Sequence, residues 1–185
     1  MKLSERALDF GFWCGWNLLW ALPEKISRRL FDAVAIISWK RHIKGVQQLE
    51  LNLSRVLGTA HDDPRVRVLS RDAMRSYMRY YCETFLLPRW SNERLLNTVR
   101  AENVDVVKEA LKSGGVILTL PHAGNWDHAG AWCAKYLGSL VTVAERLRPE
   151  GVFQKFMRMR TQRGITLMPL TGEGGTYEYL RDNLV

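Results

Sequence analysis

The chain has 185 residues, of which 46% are hydrophobic and 25% charged, the length and balance of one globular domain. That composition excludes a disordered chain, a collagen-like repeat and a polytopic membrane protein. Its 27 Lys and Arg outnumber its 19 Asp and Glu for a net charge of +8, so an anionic partner is expected: nucleic acid, anionic lipid or a phosphorylated cofactor.

Residues 1–100 read as mainly helical, punctuated by Pro23, Gly45, Gly58 and the turn His61-Asp62-Asp63-Pro64. Near the start, the 13 residues Phe10 to Leu22 carry no charge. They are too few for the roughly 20 that span a bilayer, and Glu5, Asp9 and the lack of a small-residue cleavage site argue against a signal peptide. Trp13, Trp16 and Trp20 fall at i, i+3 and i+7, on one helical face suited to a headgroup layer. A helix packed on the body is the alternative. Six basic residues follow (Lys25, Arg28, Arg29, Lys40, Arg41, Lys44) against Glu24 and Asp32. A peripheral or monotopic element on an anionic membrane surface is therefore expected. Cys14, Cys82 and Cys133 are odd in number, widely spaced and free of any CxxC pair, so neither a disulfide framework nor a metal site is expected. A reducing, cytosol-facing location fits.

From residue 101 the pattern becomes β/α. Helices are predicted at Val104 to Lys112, Trp126 to Tyr136, Pro149 to Arg163 and Gly175 to Asn183; strands at Val116 to Leu120, Leu140 to Ala144 and Ile165 to Met168. The predicted fold class is α/β: a helical N-terminal region, then a largely parallel sheet flanked by helices on both faces. Residues 1–185 are read as the N-terminal part of one domain, truncated at the C-terminus, because the chain stops at Leu184 and Val185 where the next strand is due.

Chemistry is expected at Pro121-His122-Ala123-Gly124-Asn125-Trp126-Asp127, between a predicted strand and the helix after it, where open α/β sheets bind ligands. His122 can serve as a general base near neutral pH. Asp127, in the first helical turn, can orient it or position a neighbouring cation, or it can be no more than a helix-start residue. His128 is a rival base placed inside the helix. No GxSxG elbow, GxxxxGK loop or GxGxxG occurs, and Gly172-Glu173-Gly174-Gly175 reads as a flexible turn.

A strand ending in Leu-Pro and running into His-x4-Asp resembles the glycerolipid acyltransferase superfamily. The longer strings LPHAGNWDHAGAW and AERLRPEGVFQKFMRMR resemble the actinobacterial phosphatidylinositol mannoside acyltransferases, a branch related to the lipid A lauroyl/myristoyl acyltransferases. The resemblance covers at least Val116 to Leu170. It implies an acyl-CoA co-substrate without a cofactor, a mannose hydroxyl of the glycolipid as acceptor, and chemistry at the cytosolic face of the plasma membrane. His122 is then the general base and Asp127 completes the motif. An acidic partner of the histidine is expected beyond Val185.

A second basic cluster, Arg146, Arg148, Lys155, Arg158, Arg160 and Arg163 against Glu145 and Glu150, spans the second strand and the helix after it. On that helix Arg160 falls among Phe153, Phe156 and Met157, with Lys155 and Arg158 opposite. An inward guanidinium needs an anion, and Asp127, a substrate phosphate or a carboxylate beyond Val185 can supply one; snorkelling past aromatic neighbours is the alternative. Glu145 and Arg146, at the strand's carboxyl end, are candidates for the acceptor or acyl-CoA site. A lipid A-type or other glycerolipid acceptor is the alternative within the enzyme class. A basic membrane-binding module is the alternative outside it, and leaves the strand-His-x4-Asp-helix arrangement unexplained. No nucleic-acid partner is expected.

Overall fold

Pro23 separates the first two helices: with φ −57° and ψ 140° it is extended, and its missing N–H suits the position before a helix start. The computed structural model describes residues 3–148, 150–170 and 175–183, with side chains from residue 10 onward. The helices are α1 (Leu3–Ala21), α2 (Glu24–Lys40), α3 (Lys44–Leu57), α4 (Pro64–Leu86), α5 (Asn92–Asn97), α6 (Val104–Ala110), α7 (Trp126–Tyr136), α8 (Glu150–Gln162) and α9 (Thr176–Asp182). The strands are β1 (Leu140–Glu145) and β2 (Ile165–Leu170). The chain divides into two compact units, residues 18–86 and residues 1–17 with 87–185.

In the 18–86 unit, α4 packs against α2 and α3. Ala35, Val46 and Met74 are buried together there, with Trp39, Leu49 and Met78 packed on them. A polar centre stands beside this core. Glu50, buried on α3, accepts hydrogen bonds from Arg67 and Ser70 on α4, both at 2.7 Å, and pairs with His42 at 2.7 Å. Arg67 also lies over the Trp39 ring and donates to the Trp39 carbonyl. Burying a carboxylate is costly unless it is paired and hydrogen-bonded, and the partners from α4 and from the turn between α2 and α3 meet that condition.

In the other unit, β1 and β2 form a parallel pair with Leu140 opposite Ile165 and Glu145 opposite Leu170. The mostly helical architecture with a parallel sheet is that of an α/β fold. Helix α7 lies close on the sheet because Gly130 carries no side chain: a Cβ there would stand 3.3 Å from Ile165 Cδ1 and 3.6 Å from Leu140 Cδ2. Leu87, Trp90, Leu95 and Ala131 bury one another beneath α5 and α7. On α8 the buried residues are Val152, Phe153, Phe156 and Met159.

Three sequence expectations are corrected. Val116 to Leu120 forms no strand: residues 115–121 are irregular, and Ile117, Leu118 and Leu120 are exposed. A buried strand needs a partner for its backbone groups on at least one side, and among the described residues no strand pairs with this segment. Second, the three tryptophans of α1 do not share one environment. Trp16 is buried edge-to-face against Phe156, with ring centroids 5.6 Å apart, whereas Trp13 is exposed. Third, the apolar face of α8 is turned toward Met159, leaving Met157 half-buried; of the two cations expected outside, Arg158 is exposed while Lys155 reaches over the Trp16 ring. The predicted start of α8 at Pro149, the turn at Gly172 to Gly174 and the chain end at Leu184 and Val185 lie outside the described residues.

Candidate functional site

The loop before α7 is built from local rules. The Ala123 N–H donates to the Pro121 carbonyl at 2.8 Å, closing a tight three-residue turn with His122 at its apex. Gly124 follows at φ +64°, a conformation that side chains with a Cβ rarely adopt. Asn125 then caps α7, its side-chain oxygen accepting from the His128 N–H at 3.0 Å. In this arrangement the His122 ring is exposed and meets the Trp126 ring edge-on, with centroids 5.1 Å apart and planes at 68°. An exposed imidazole braced on one side by an indole is open to an incoming hydroxyl.

Asp127 lies one residue further into α7, 3% exposed, and accepts a hydrogen bond from Arg160 Nε at 2.7 Å. The structure thus brings two of the candidate residues together, Asp127 and Arg160, in an ion pair that ties the first turn of α7 to α8. A carboxylate in a helix's first turn also meets the positive end of its dipole. His128 faces elsewhere: its Nε2 lies 3.2 Å from Thr98 Oγ1 and 3.3 Å from the Leu95 carbonyl, and its ring meets Trp90 edge-on. Glu145 is exposed at the end of β1, and Arg146 just beyond it pairs with Glu150 at 3.1 Å.

Three further residues support the site. Asn125 and Trp126 shape the histidine loop, and the signal for Asn125 was present as a capping residue before a helix. Arg163 lies half-buried and donates to the carbonyls of Leu87 and Trp90, fastening the end of α8 to the chain before α5. Burial pulls its guanidinium below the usual value. Its place on the buried side of α8 was readable from the periodicity, but its partners, more than 70 positions earlier, were not.

Among the described residues, no cluster of His, Cys, Asp or Glu can hold a metal ion, and no helix is long and apolar enough to cross a membrane.

Comparison with known proteins matches residues 2–183 to the family model described as bacterial lipid A biosynthesis acyltransferase. Two similar proteins are named phosphatidylinositol mannoside acyltransferase. One, from Mycolicibacterium smegmatis, is 37% identical over 100% of this chain and 60% of its own length. The other, from Mycobacterium tuberculosis, is 38% identical over 99% of this chain and 58% of its own length. The chain therefore spans about three-fifths of the length of the curated relatives it matches. The match to the family model runs across both units and includes the His122 loop, the Asp127–Arg160 pair and the β1–α8–β2 segment, and the chain belongs to the bacterial lipid A biosynthesis acyltransferase family.

Proposed function

We propose that this protein transfers a long-chain, palmitoyl-like acyl group from acyl-CoA to a mannose hydroxyl of a phosphatidylinositol mannoside. The reading is carried by identity of 37–38% with the two mannoside acyltransferases across essentially the whole chain. In the proposed step a ring nitrogen of His122 accepts the hydroxyl proton as the oxygen attacks the thioester carbonyl. Collapse of the tetrahedral intermediate breaks the C–S bond, and the departing thiolate takes the proton from the imidazolium. An ester replaces a thioester, and no oxidant or cofactor enters the balance.

Asp127 and Arg160 act as positioning residues: the ion pair holds the start of α7, and the loop before it carries the base. Of the three roles open to Asp127, that geometry favours fixing a cation. Arg160 is accordingly assigned to Asp127 rather than to a substrate phosphate. Glu145 and Arg146, exposed at the end of β1, are assigned to the acceptor or acyl-CoA side.

The reaction is placed at the cytosolic face of the plasma membrane, with the protein held peripherally or monotopically. Support comes from α1, where Phe10, Trp13 and Leu18 are each more than half exposed. The test is incubation of the full-length protein with labelled palmitoyl-CoA and, in parallel, phosphatidylinositol mannosides, phosphatidylinositol and a lipid A precursor. Acylated mannoside as the dominant product is expected. Preferential acylation of the lipid A precursor, or of no lipid, contradicts the reading.

A further inference from the structure

Helix α2 has two faces of different kinds. Ala35 is fully buried on the face that packs against α4, and Trp39 is half-buried there. The charges near that face are neutralised: Arg28 pairs with Glu24 and Glu83, each at 2.9 Å, and Asp32 pairs with Arg75 at 2.6 Å. The opposite face is apolar and open. Ile26, Leu30, Val34 and Ile37 are 47%, 46%, 43% and 50% exposed. At about 100° per residue they fall within about 80° of one another, a continuous stripe along three turns of helix. Four large aliphatic side chains in one stripe are not the scattered exposure that any protein surface shows.

The charge around the stripe is one-sided. Lys25, Arg29 and Lys40 run along one edge and Arg41 lies at the C-terminal end, all exposed. Among the described residues none of the four forms an ion pair. The acidic residues of α2 are those already paired. An apolar stripe rimmed by free cations, with no free acid beside it, matches an anionic lipid surface: aliphatic side chains enter the acyl boundary while ammonium and guanidinium groups stay among the phosphates.

We propose that the outward face of α2, Ile26, Leu30, Val34 and Ile37 with Lys25, Arg29, Lys40 and Arg41, is a membrane-docking surface that lies in the plane of an anionic bilayer. This deepens the membrane reading given above and rests on it for its biological setting. It also moves the main docking element from the tryptophans of α1, of which Trp16 is buried in the protein, to the following helix.

The experiment uses the full-length protein and vesicles of phosphatidylglycerol and phosphatidylcholine in equal parts, with phosphatidylcholine alone as control. Ile26→Gln with Ile37→Gln is expected to weaken vesicle binding by about tenfold or more. Lys25→Gln with Arg29→Gln is expected to weaken it by about fivefold or more and to flatten its dependence on salt. Val56→Gln, at an exposed position on α3 outside the stripe, serves as the control and should leave binding unchanged. Thermal melting checks the fold, which these outward substitutions should preserve. Acyl transfer to a detergent-dispersed acceptor is measured separately and should survive in all three. Loss of transfer in the wild type with binding intact defeats the proposed function and leaves the docking surface standing. Wild-type vesicle affinity in both α2 variants, with correct folding, overturns the docking proposal. So does a wild-type dimer in sedimentation equilibrium that the aliphatic variant abolishes, since the stripe then joins two copies.

Discussion

An acidic side chain with 3% of its surface exposed needs a cation within reach, and Arg160 supplies one to Asp127 at 2.7 Å. Removing Asp127 leaves the half-buried Arg160 without its carboxylate, so Asp127→Ala should destabilise the protein by about 2 kcal/mol, read from denaturant or thermal unfolding. Arg160→Lys keeps the charge but loses the planar guanidinium that presents Nε to the carboxylate. Roughly tenfold lower turnover is expected with little change in acyl-CoA affinity, because the loop that carries His122 loses its anchor. Arg158→Lys, on the exposed side of α8, should be mild by comparison. If folded Arg160→Lys turns over like Arg158→Lys, the pair does not position the base. The cysteines report local burial in the same way. Burial pushes the Cys82 thiol up to about 11 and raises Cys133 as well, so iodoacetamide at neutral pH should label exposed Cys14 far faster than either. Comparable labelling of Cys82 in the native state would show that α4 opens there.

At the scale of elements, the polar centre of the 18–86 unit gives a pH dependence. Burial raises the Glu50 carboxyl, but hydrogen bonds from Arg67, Ser70 and His42 outweigh it, and the net effect is a value below the usual range. A carboxyl depressed in the folded state contributes stability that is fully present above its unfolded value of about 4.3 and is lost as pH falls below that. Glu50→Gln should therefore cost about 2 kcal/mol at neutral pH and flatten the acid limb of the stability curve below about pH 4. An unchanged acid limb would mean that other carboxylates set it. Helix α1 makes a different prediction on each of two rings. Trp16→Ala should lower the melting temperature, since Trp16 packs on Phe156, while Trp13→Ala should leave melting unchanged and weaken binding to anionic vesicles. The opposite pattern would mean that the two rings exchange these environments.

For the whole molecule, legibility followed the range of the interactions involved. Helices α6 to α9 and strands β1 and β2 are close to their predicted positions because periodicity, capping residues and terminal glycines are local signals. Val116 to Leu120 misled for the complementary reason. An apolar run of strand length becomes a strand only when another segment pairs with it, and composition says nothing about that partner. The candidate site divides likewise. His122 at the mouth of α7 could be read from its spacing, and Arg160 could be placed near an apolar face that needs an anion. Which of three anions it meets depended on the approach of α7 to α8, which one helix's periodicity does not contain. The outward stripe of α2 is not legible in the sequence, because Ile, Leu and Val at helical spacing read as core unless the opposite face is known to be the one packed on α4.

The central claim, that His122 is the base of an acyl transfer to a mannosylated phosphoinositide, meets its most direct test in one comparison. Single-turnover formation of acylated phosphatidylinositol mannoside from labelled palmitoyl-CoA is followed for the full-length wild type and for His122→Ala, both verified as folded. The account predicts acylated mannoside from the wild type and a rate lower by about 10²- to 10⁴-fold in the variant, with acyl-CoA affinity within a few fold, because a general base acts in the transition state and not in ground-state binding. A folded variant that forms the product at more than about a third of the wild-type rate would contradict it, since loss of a required base costs orders of magnitude.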